Sequence, residues 1–322
     1  MRGFKKYIGL IFVIILSLGF FGCKKTGDYV VKIGTEEISK GEFMIYLYEQ
    51  KRDMEATAEE GESIWEADFD GKSAEEVAKD RAVESLLMVK SAVKQAPVLN
   101  ITLDEADKEA VSQKANEVLG YFTQEELKKL SLDKEKIEAI LEQVKLQLKV
   151  YDYITESYIV NEEEFNDYFA QYKAENPGKF SDYTIREMFF QADIPESKEK
   201  AQQAYTAVSN GVNFDGAAAT FLPGDPCEEK IFEESLYGDE SGARSVYELK
   251  EGENILISDS VGYYVIKLVK ITPKDDTQLK QELKQSYVDA KKKEIYAQQS
   301  AKWIDELKTE KNADVWNDIK VS

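Results

Sequence analysis

Apolar residues return at helical spacing through most of the first half of the chain. Ala82, Leu86, Val89 and Val93 recur at intervals of 4, 3 and 4 residues, and Ile137, Leu141, Val144, Leu148 and Tyr151 at 4, 3, 4 and 3. Each set marks one face of an amphipathic helix. Ser39, three residues before Glu42, forms a capping-box pattern and predicts a helix from about Lys40 that carries Phe43, Tyr46 and Leu47 inward. Ahead of it, Tyr29-Val-Val-Lys-Ile-Gly-Thr-Glu-Glu-Ile-Ser reads as a small hairpin turning at Gly34. Pro97 ends one helix, Thr102-Leu-Asp-Glu starts the next, and Asn161-Glu-Glu-Glu-Phe starts another that runs to Asn176-Pro-Gly. Aromatic residues gather at Tyr151, Tyr153, Tyr158, Phe165, Tyr168, Phe169 and Tyr172, as helix-seam residues or as the lining of a groove for apolar peptide segments.

Pro177-Gly178 marks a boundary, after which the pattern mixes two periods. Tyr183-Thr-Ile-Arg-Glu-Met-Phe-Phe predicts a strand, Glu199 to Val208 a helix, and Phe214, Ala217, Ala218 and Phe221 a second short helix. Ile255-Leu-Ile is a short strand, and Val261-Gly-Tyr-Tyr-Val-Ile-Lys-Leu-Val-Lys a longer one. In the longer strand Tyr264, Ile266 and Leu268 face one way, Val265 and Val269 the other. Strand, helix, helix, strand, strand makes an α+β unit. Beyond Thr272-Pro273 a charged helix carries Leu279, Leu283, Tyr287 and Ala290 on one stripe. The final Ala313-Asp-Val-Trp-Asn-Asp-Ile alternates like a strand, expected to pair with Tyr29 to Ile33 while the last helix folds back on the N-terminal helices.

Charge narrows the function classes. The 322 residues hold 62 acidic, 42 basic and no histidine side chains. Such a surface disfavours nucleic acid and anionic lipid and favours cationic partners. Histidine-based general base catalysis, Ser-His-Asp triads and histidine metal sites are excluded by composition. Asp68-Phe-Asp-Gly has its glycine at the fourth position, where a calcium loop needs it at the sixth, so an acidic turn is expected and no metal. No cofactor motif is present.

The first 22 residues hold Arg2, Lys5 and Lys6, an apolar run from about Tyr7 to Phe21, and no acid. The pattern reads as a signal peptide, since the run falls short of the roughly 20 residues that span a bilayer. Gly22 before Cys23 suits lipoprotein-type cleavage with lipid attached at Cys23, although Phe20 and Phe21 depart from the usual residues there. An uncleaved anchor is the alternative. Without those 22 residues 39 basic side chains face 62 acidic ones, a balance of −23. Cys227 is then a single thiol with no basic neighbour nearer than Lys230, and it reads as structural.

The lipoprotein-like start, the Val-Lys-Ile-Gly-Thr-Glu-Glu-Ile-Ser-Lys-Gly-Glu-Phe segment before helices, a central unit of about 90 residues and a returning C-terminal helix coincide. In these the chain resembles the extracytoplasmic parvulin-type foldases, the PrsA-type lipoproteins and their SurA-like relatives. Lys250-Glu-Gly-Glu with Gly262-Tyr-Tyr-Val-Ile-Lys-Leu is similar to the family's Gly-Glu turn and closing strand, and Asn213-Phe-Asp-Gly-Ala-Ala to its Phe-x-x-x-Ala helix. The resemblance implies a mainly helical chaperone domain (23–178), an inserted parvulin-like domain of α+β class (179–272) and a helix and strand (273–322) returning to the first. It also implies unfolded or newly exported polypeptides as partners, a membrane tether through the N-terminal lipid, and room for a homodimer.

The family's two active-centre histidines fall on Glu187 and Tyr264, and its proline-pocket segment has no counterpart between Lys230 and Tyr247. Met188, Phe189, Phe214 and Tyr264 are the peptide-binding residues that the resemblance suggests. Arg186, adjacent to Glu187, points to the opposite face of the strand. Three functions remain open: a tethered foldase whose parvulin domain is weak or inactive, an isomerase with a histidine-free site, and an envelope scaffold without general chaperone activity.

Overall fold

In the computed structural model, which describes residues 29–58, 63–238 and 240–321, the chain divides into two units. One runs up to Ser157 and resumes at Glu294; the other is Tyr158–Lys293. The expected signal peptide and Cys23 lie outside the described residues. Among the described residues, no helix is long and apolar enough to cross a membrane.

The first unit opens on β1 (Tyr29–Ile33) and β2 (Glu36–Ser39), an antiparallel hairpin with Gly34 at φ +61°. Helix α1 (Lys40–Glu55) follows, capped by the Ser39 hydroxyl, which accepts the Glu42 amide at 3.2 Å. Only this half of the capping box forms. The Glu42 carboxylate instead lies 2.8 Å from the ammonium of Lys90, a buried lysine on α2 (Ala74–Gln95). Between them, β3 (Asp68–Phe69) and β4 (Lys72–Ser73) make a tight acidic turn in which the Asp68 carboxylate accepts the Gly71 amide at 2.8 Å. Helices α3 (Glu105–Leu119), α4 (Gln124–Leu130) and α5 (Lys134–Thr155) complete the row. The cap of helix α3 lies two residues beyond the expected Thr102, because Asp104 and Asp107 form a reciprocal capping box there. Phe43, Leu47, Leu86 and Ile137 are fully buried together, each side chain contributing about 1.5–3 kcal/mol by burial.

The second unit begins with α6 (Glu162–Glu175) and α7 (Pro177–Phe180), so its edge precedes the Pro177-Gly178 boundary expected from sequence. Then come β5 (Ser181–Gln191), α8 (Ser197–Ser209), α9 (Phe214–Phe221), β6 (Lys230–Ile231), α10 (Glu240–Arg244), β7 (Asn254–Ser258) and β8 (Gly262–Pro273). The strands form one antiparallel sheet in the order β6-β5-β8-β7. Strand alternation divides its side chains. Met188, Phe190 and Val265 pack with Ala201, Ala204, Phe214 and Ala218 of α8 and α9 on one face. Tyr183, Ile185, Ile266 and Leu268 pack with Phe232, Tyr237 and Val246 on the other.

Helix α11 (Thr277–Ile304) gives its first part to this unit and its end to the first. Much of the aromatic cluster is the seam between α6 and that first part: Phe165 is buried, and its ring centroid is 5.7 Å from Tyr287. Tyr151 belongs to the other unit and packs edge-on against Tyr296 at 5.2 Å, while Tyr153 stays exposed.

The expected last strand is corrected. The strand that pairs with β1 is β9 (Thr309–Lys311), and Ala313–Asn317 is a short helix, α12. Trp316 lies 5.6 Å from Phe43, and its neighbour Val315 packs against the same core. A strand would send these adjacent residues to opposite faces; a helical turn keeps both on one.

Candidate functional site

Strands β5 and β8 bring the two expected positions onto one face. Their register sets Phe189 opposite Tyr264 and Glu187 opposite Ile266, so Glu187 and Tyr264 are diagonal neighbours. The space between them is filled. Tyr237, from the loop after β6, donates its hydroxyl to Glu187 Oε2 at 2.5 Å and sets its ring edge-on to Tyr264 at 5.0 Å. Lys230 Nζ lies 2.8 Å from Glu187 Oε1. The Glu187 side chain is 11% exposed, and Tyr237 and Tyr264 are buried. This arrangement pairs the carboxylate that sequence alone leaves costly to bury.

The Tyr264 hydroxyl points to Asp259, 3.1 Å from each carboxylate oxygen. Asp259 also accepts the amides of Gly238 and Val261 at 2.8 Å and of Gly262 at 2.9 Å. It therefore ties the Tyr237 loop to the start of β8. Burial, reinforced by Asp259, pushes the Tyr264 phenol up to about 12, and burial with Glu187 pushes that of Tyr237 up as well. Both hydroxyls stay protonated donors across the neutral range.

Asp259 has the opposite shift. Burial raises its pKa, but the three amides and the Tyr264 hydroxyl together outweigh burial and hold the carboxyl below its ordinary range. A depressed carboxylate contributes stability that is full above its unfolded value and lost as pH falls through the folded one. The tyrosine near-UV circular dichroism signal is therefore expected to hold at neutral pH and decay below about pH 4. In Asp259→Ala that acid-dependent step is expected to vanish; a profile identical to that of the parent chain would refute the assignment.

Of the four peptide-binding candidates, Phe189 and Tyr264 meet, stacked at 4.9 Å with 28° between their planes. Met188 and Phe214 do not join them. Both are buried on the opposite face, under α8 and α9, where Phe214 lies beneath the Arg186 guanidinium at 5.0 Å. Arg186 is held there by the Cys227 carbonyl at 2.9 Å and by Asp215 at 2.6 Å. Cys227 is buried, and burial followed by Asp225 pushes its thiol up to about 11, far from a reactive thiolate. Sequence reasoning missed Tyr237, Lys230 and Asp259. Only Asp259 carried a local signal, an Asp three residues before a glycine at a strand start. A cleft of about 490 Å³ opens between Asp182, Ile231, Phe232, Tyr247 and Lys274, and includes neither Glu187 nor Tyr264.

These features define a mainly helical α+β protein whose inserted sheet unit carries a closed polar face at Glu187 and Tyr264. Residues 1–139 match the family model of the SurA-like N-terminal domain. The chain is 23% identical over 293 residues to the foldase protein PrsA of Caldanaerobacter subterraneus subsp. tengcongensis, covering 90% of this chain and 89% of that protein. Among solved structures, a SurA-like chaperone of the PEB4 and Cj1289 pair of Campylobacter jejuni is 15% identical, with a TM-score of 0.33 over 88% of this chain and 99% of that one. PrsA from Bacillus subtilis is 14% identical, with a TM-score of 0.24 over 72% and 84%. By these comparisons the N-terminal part of the chain is similar to SurA-like N-terminal domains, and most of its length to a PrsA foldase.

Proposed function

We propose that the chain is an extracytoplasmic foldase, tethered to the membrane through lipid on Cys23, that holds unfolded exported polypeptides without isomerising their prolines. The homology to a PrsA foldase supports the holding role, and the signal-peptide pattern before Cys23 supports the tether. One observation carries the loss of catalysis: Tyr264 is buried and the Glu187 side chain only 11% exposed, and both are hydrogen-bonded within the protein, Glu187 to Tyr237 and Tyr264 to Asp259.

Rotation about a peptide bond crosses a barrier of about 18–20 kcal/mol, and an isomerase must bind the twisted amide in an apolar pocket with polar groups free to reach it. Here the pocket is occupied by the Tyr237 ring, and the polar groups already have partners.

A proline-peptide isomerisation assay is expected to give the uncatalysed rate, while the same preparation suppresses aggregation of an unrelated unfolded protein. Turnover that disappears in Glu187→Ala or Tyr264→Phe would establish a histidine-free isomerase instead. Failure to suppress aggregation would leave the envelope scaffold.

A further inference from the structure

Strand β7 ends the sheet, with β8 on one side and, among the described residues, no strand on the other. Its register to β8 is regular over all five residues, without a bulge. The flanking pairs fix which backbone groups point inward: the Leu268 amide donates to the Glu253 carbonyl at 3.0 Å and the Asp259 amide to the Gly262 carbonyl at 3.0 Å. By antiparallel alternation Ile255 and Ile257 bond β8, and the amides and carbonyls of Asn254, Leu256 and Ser258 point outward. Among the described residues none of these outward groups has a hydrogen-bond partner.

Natural edge strands are normally blunted by lysine, proline, a bulge or extreme shortness. The opposite edge of this sheet follows that rule, since β6 is two residues long and begins with Lys230. Strand β7, Asn-Ile-Leu-Ile-Ser, has none of these devices. Its side chains put Ile255 and Ile257 toward the core of one sheet face and Leu256 toward the other. A strand laid beside it would extend the apolar face of Ile255 and Ile257 on one side and the mixed face of Asn254, Leu256 and Ser258 on the other, so it would be apolar chiefly where it flanks the two isoleucines.

Charge selects the occupant. Glu253 precedes the strand and Asp259 follows it. Antiparallel pairing of two copies about Leu256 would set Glu253 of one against Asp259 of the other, carboxylate facing carboxylate. Basic residues flanking a foreign strand would instead meet the exposed Glu253 at one end and, at the other, the negative charge of Asp259 beside its amide and Tyr264 bonds, within a chain of net charge −20.

We infer that β7 is a strand-addition site that takes an extended apolar segment flanked by lysine or arginine, as exposed in unfolded polypeptides. The inference rests on the foldase reading for its source of such segments and names the class of segment captured. Main-chain bonds supply the affinity, so recognition tolerates many sequences.

The test uses the full mature chain and the probe peptide KKVTVIVKK. Binding is expected to slow hydrogen exchange at the amides of Asn254, Leu256 and Ser258. Ser258→Pro removes one outward donor while leaving the β8 bonds intact, and is expected to weaken binding by about tenfold. Ser258→Ala keeps the donor and is expected to bind like the parent chain, and Asn254→Pro repeats the test at the other end should the first variant unfold. Glutamate in place of the probe's lysines is expected to weaken binding likewise.

Peptide binding without new protection at these three amides would overturn the inference. So would protection that appears with rising protein concentration and no peptide, which would assign the edge to a second copy. Aggregation suppression is measured in parallel. A parent chain that suppresses aggregation but shows no protected edge refutes this inference alone, and one with a protected edge but no suppression refutes the foldase reading alone.

Discussion

Replacing Lys90 with methionine is expected to lower the stability of the helical unit by about 3–5 kcal/mol, the range for breaking a buried ion pair by removing one partner. The Lys90 side chain is 4% exposed and its ammonium meets Glu36, Glu42 at 2.8 Å and the Gln143 side-chain oxygen at 2.7 Å. Glu36 is half-exposed and can turn to water once the lysine is gone; Glu42, at 13%, cannot. The cost therefore falls on one carboxylate left buried without a counter-charge. Methionine keeps most of the volume, so a cavity accounts for little of it. Urea unfolding followed by far-ultraviolet circular dichroism measures the loss. Adding Glu42→Gln to Lys90→Met is expected to restore part of it by removing the stranded charge. No recovery in the double variant would assign the effect to packing and remove the electrostatic explanation.

The same residues show how far the sequence was legible. Ser39 and Glu42 form a capping-box pattern, and the helix does start at Lys40, but Glu42 is engaged by a lysine 48 positions away in sequence, a contact no local pattern encodes. Helices α2 and α5, 22 residues each, are legible because their apolar spacing repeats over several turns, Ala82 to Val93 and Ile137 to Tyr151. The end of the chain was not. Val315 among polar neighbours suits either period over so few residues, and packing of Trp316 on Phe43 decides for the helix. In the sheet unit, alternation along β8 reads directly as two faces, and the same alternation along β5 separates Met188 from Phe189. The closure of the site was hidden, because Tyr237 reaches Glu187 from 50 residues away out of a loop with no periodic signal.

Gly262→Ala is expected to lower the stability of the sheet unit by about 3 kcal/mol, the upper end for overpacking a core. A β-carbon on Gly262 would stand 2.3 Å from the Phe189 ring and 2.5 Å from the Phe190 carbonyl oxygen. Neither obstacle yields easily. The Phe190 oxygen belongs to the backbone of β5, which pairs with β8 along its whole length, and the Phe189 ring stacks on Tyr264. Relief therefore requires β5 and β8 to part or Tyr264 to leave Asp259, and either disturbs the closed face. The near-UV tyrosine signal is expected to fall with the sheet-unit unfolding transition, while the transition sensitive to Lys90→Met stays in place; a shift below about 1 kcal/mol would mean that the close approach relaxes at little cost. Aggregation suppression by the two variants then locates the holding surface. Suppression that survives Gly262→Ala but not Lys90→Met places it on the helical unit, and the reverse places it on the sheet unit, where the open edge of β7 is the part of that sheet built to receive an extended chain.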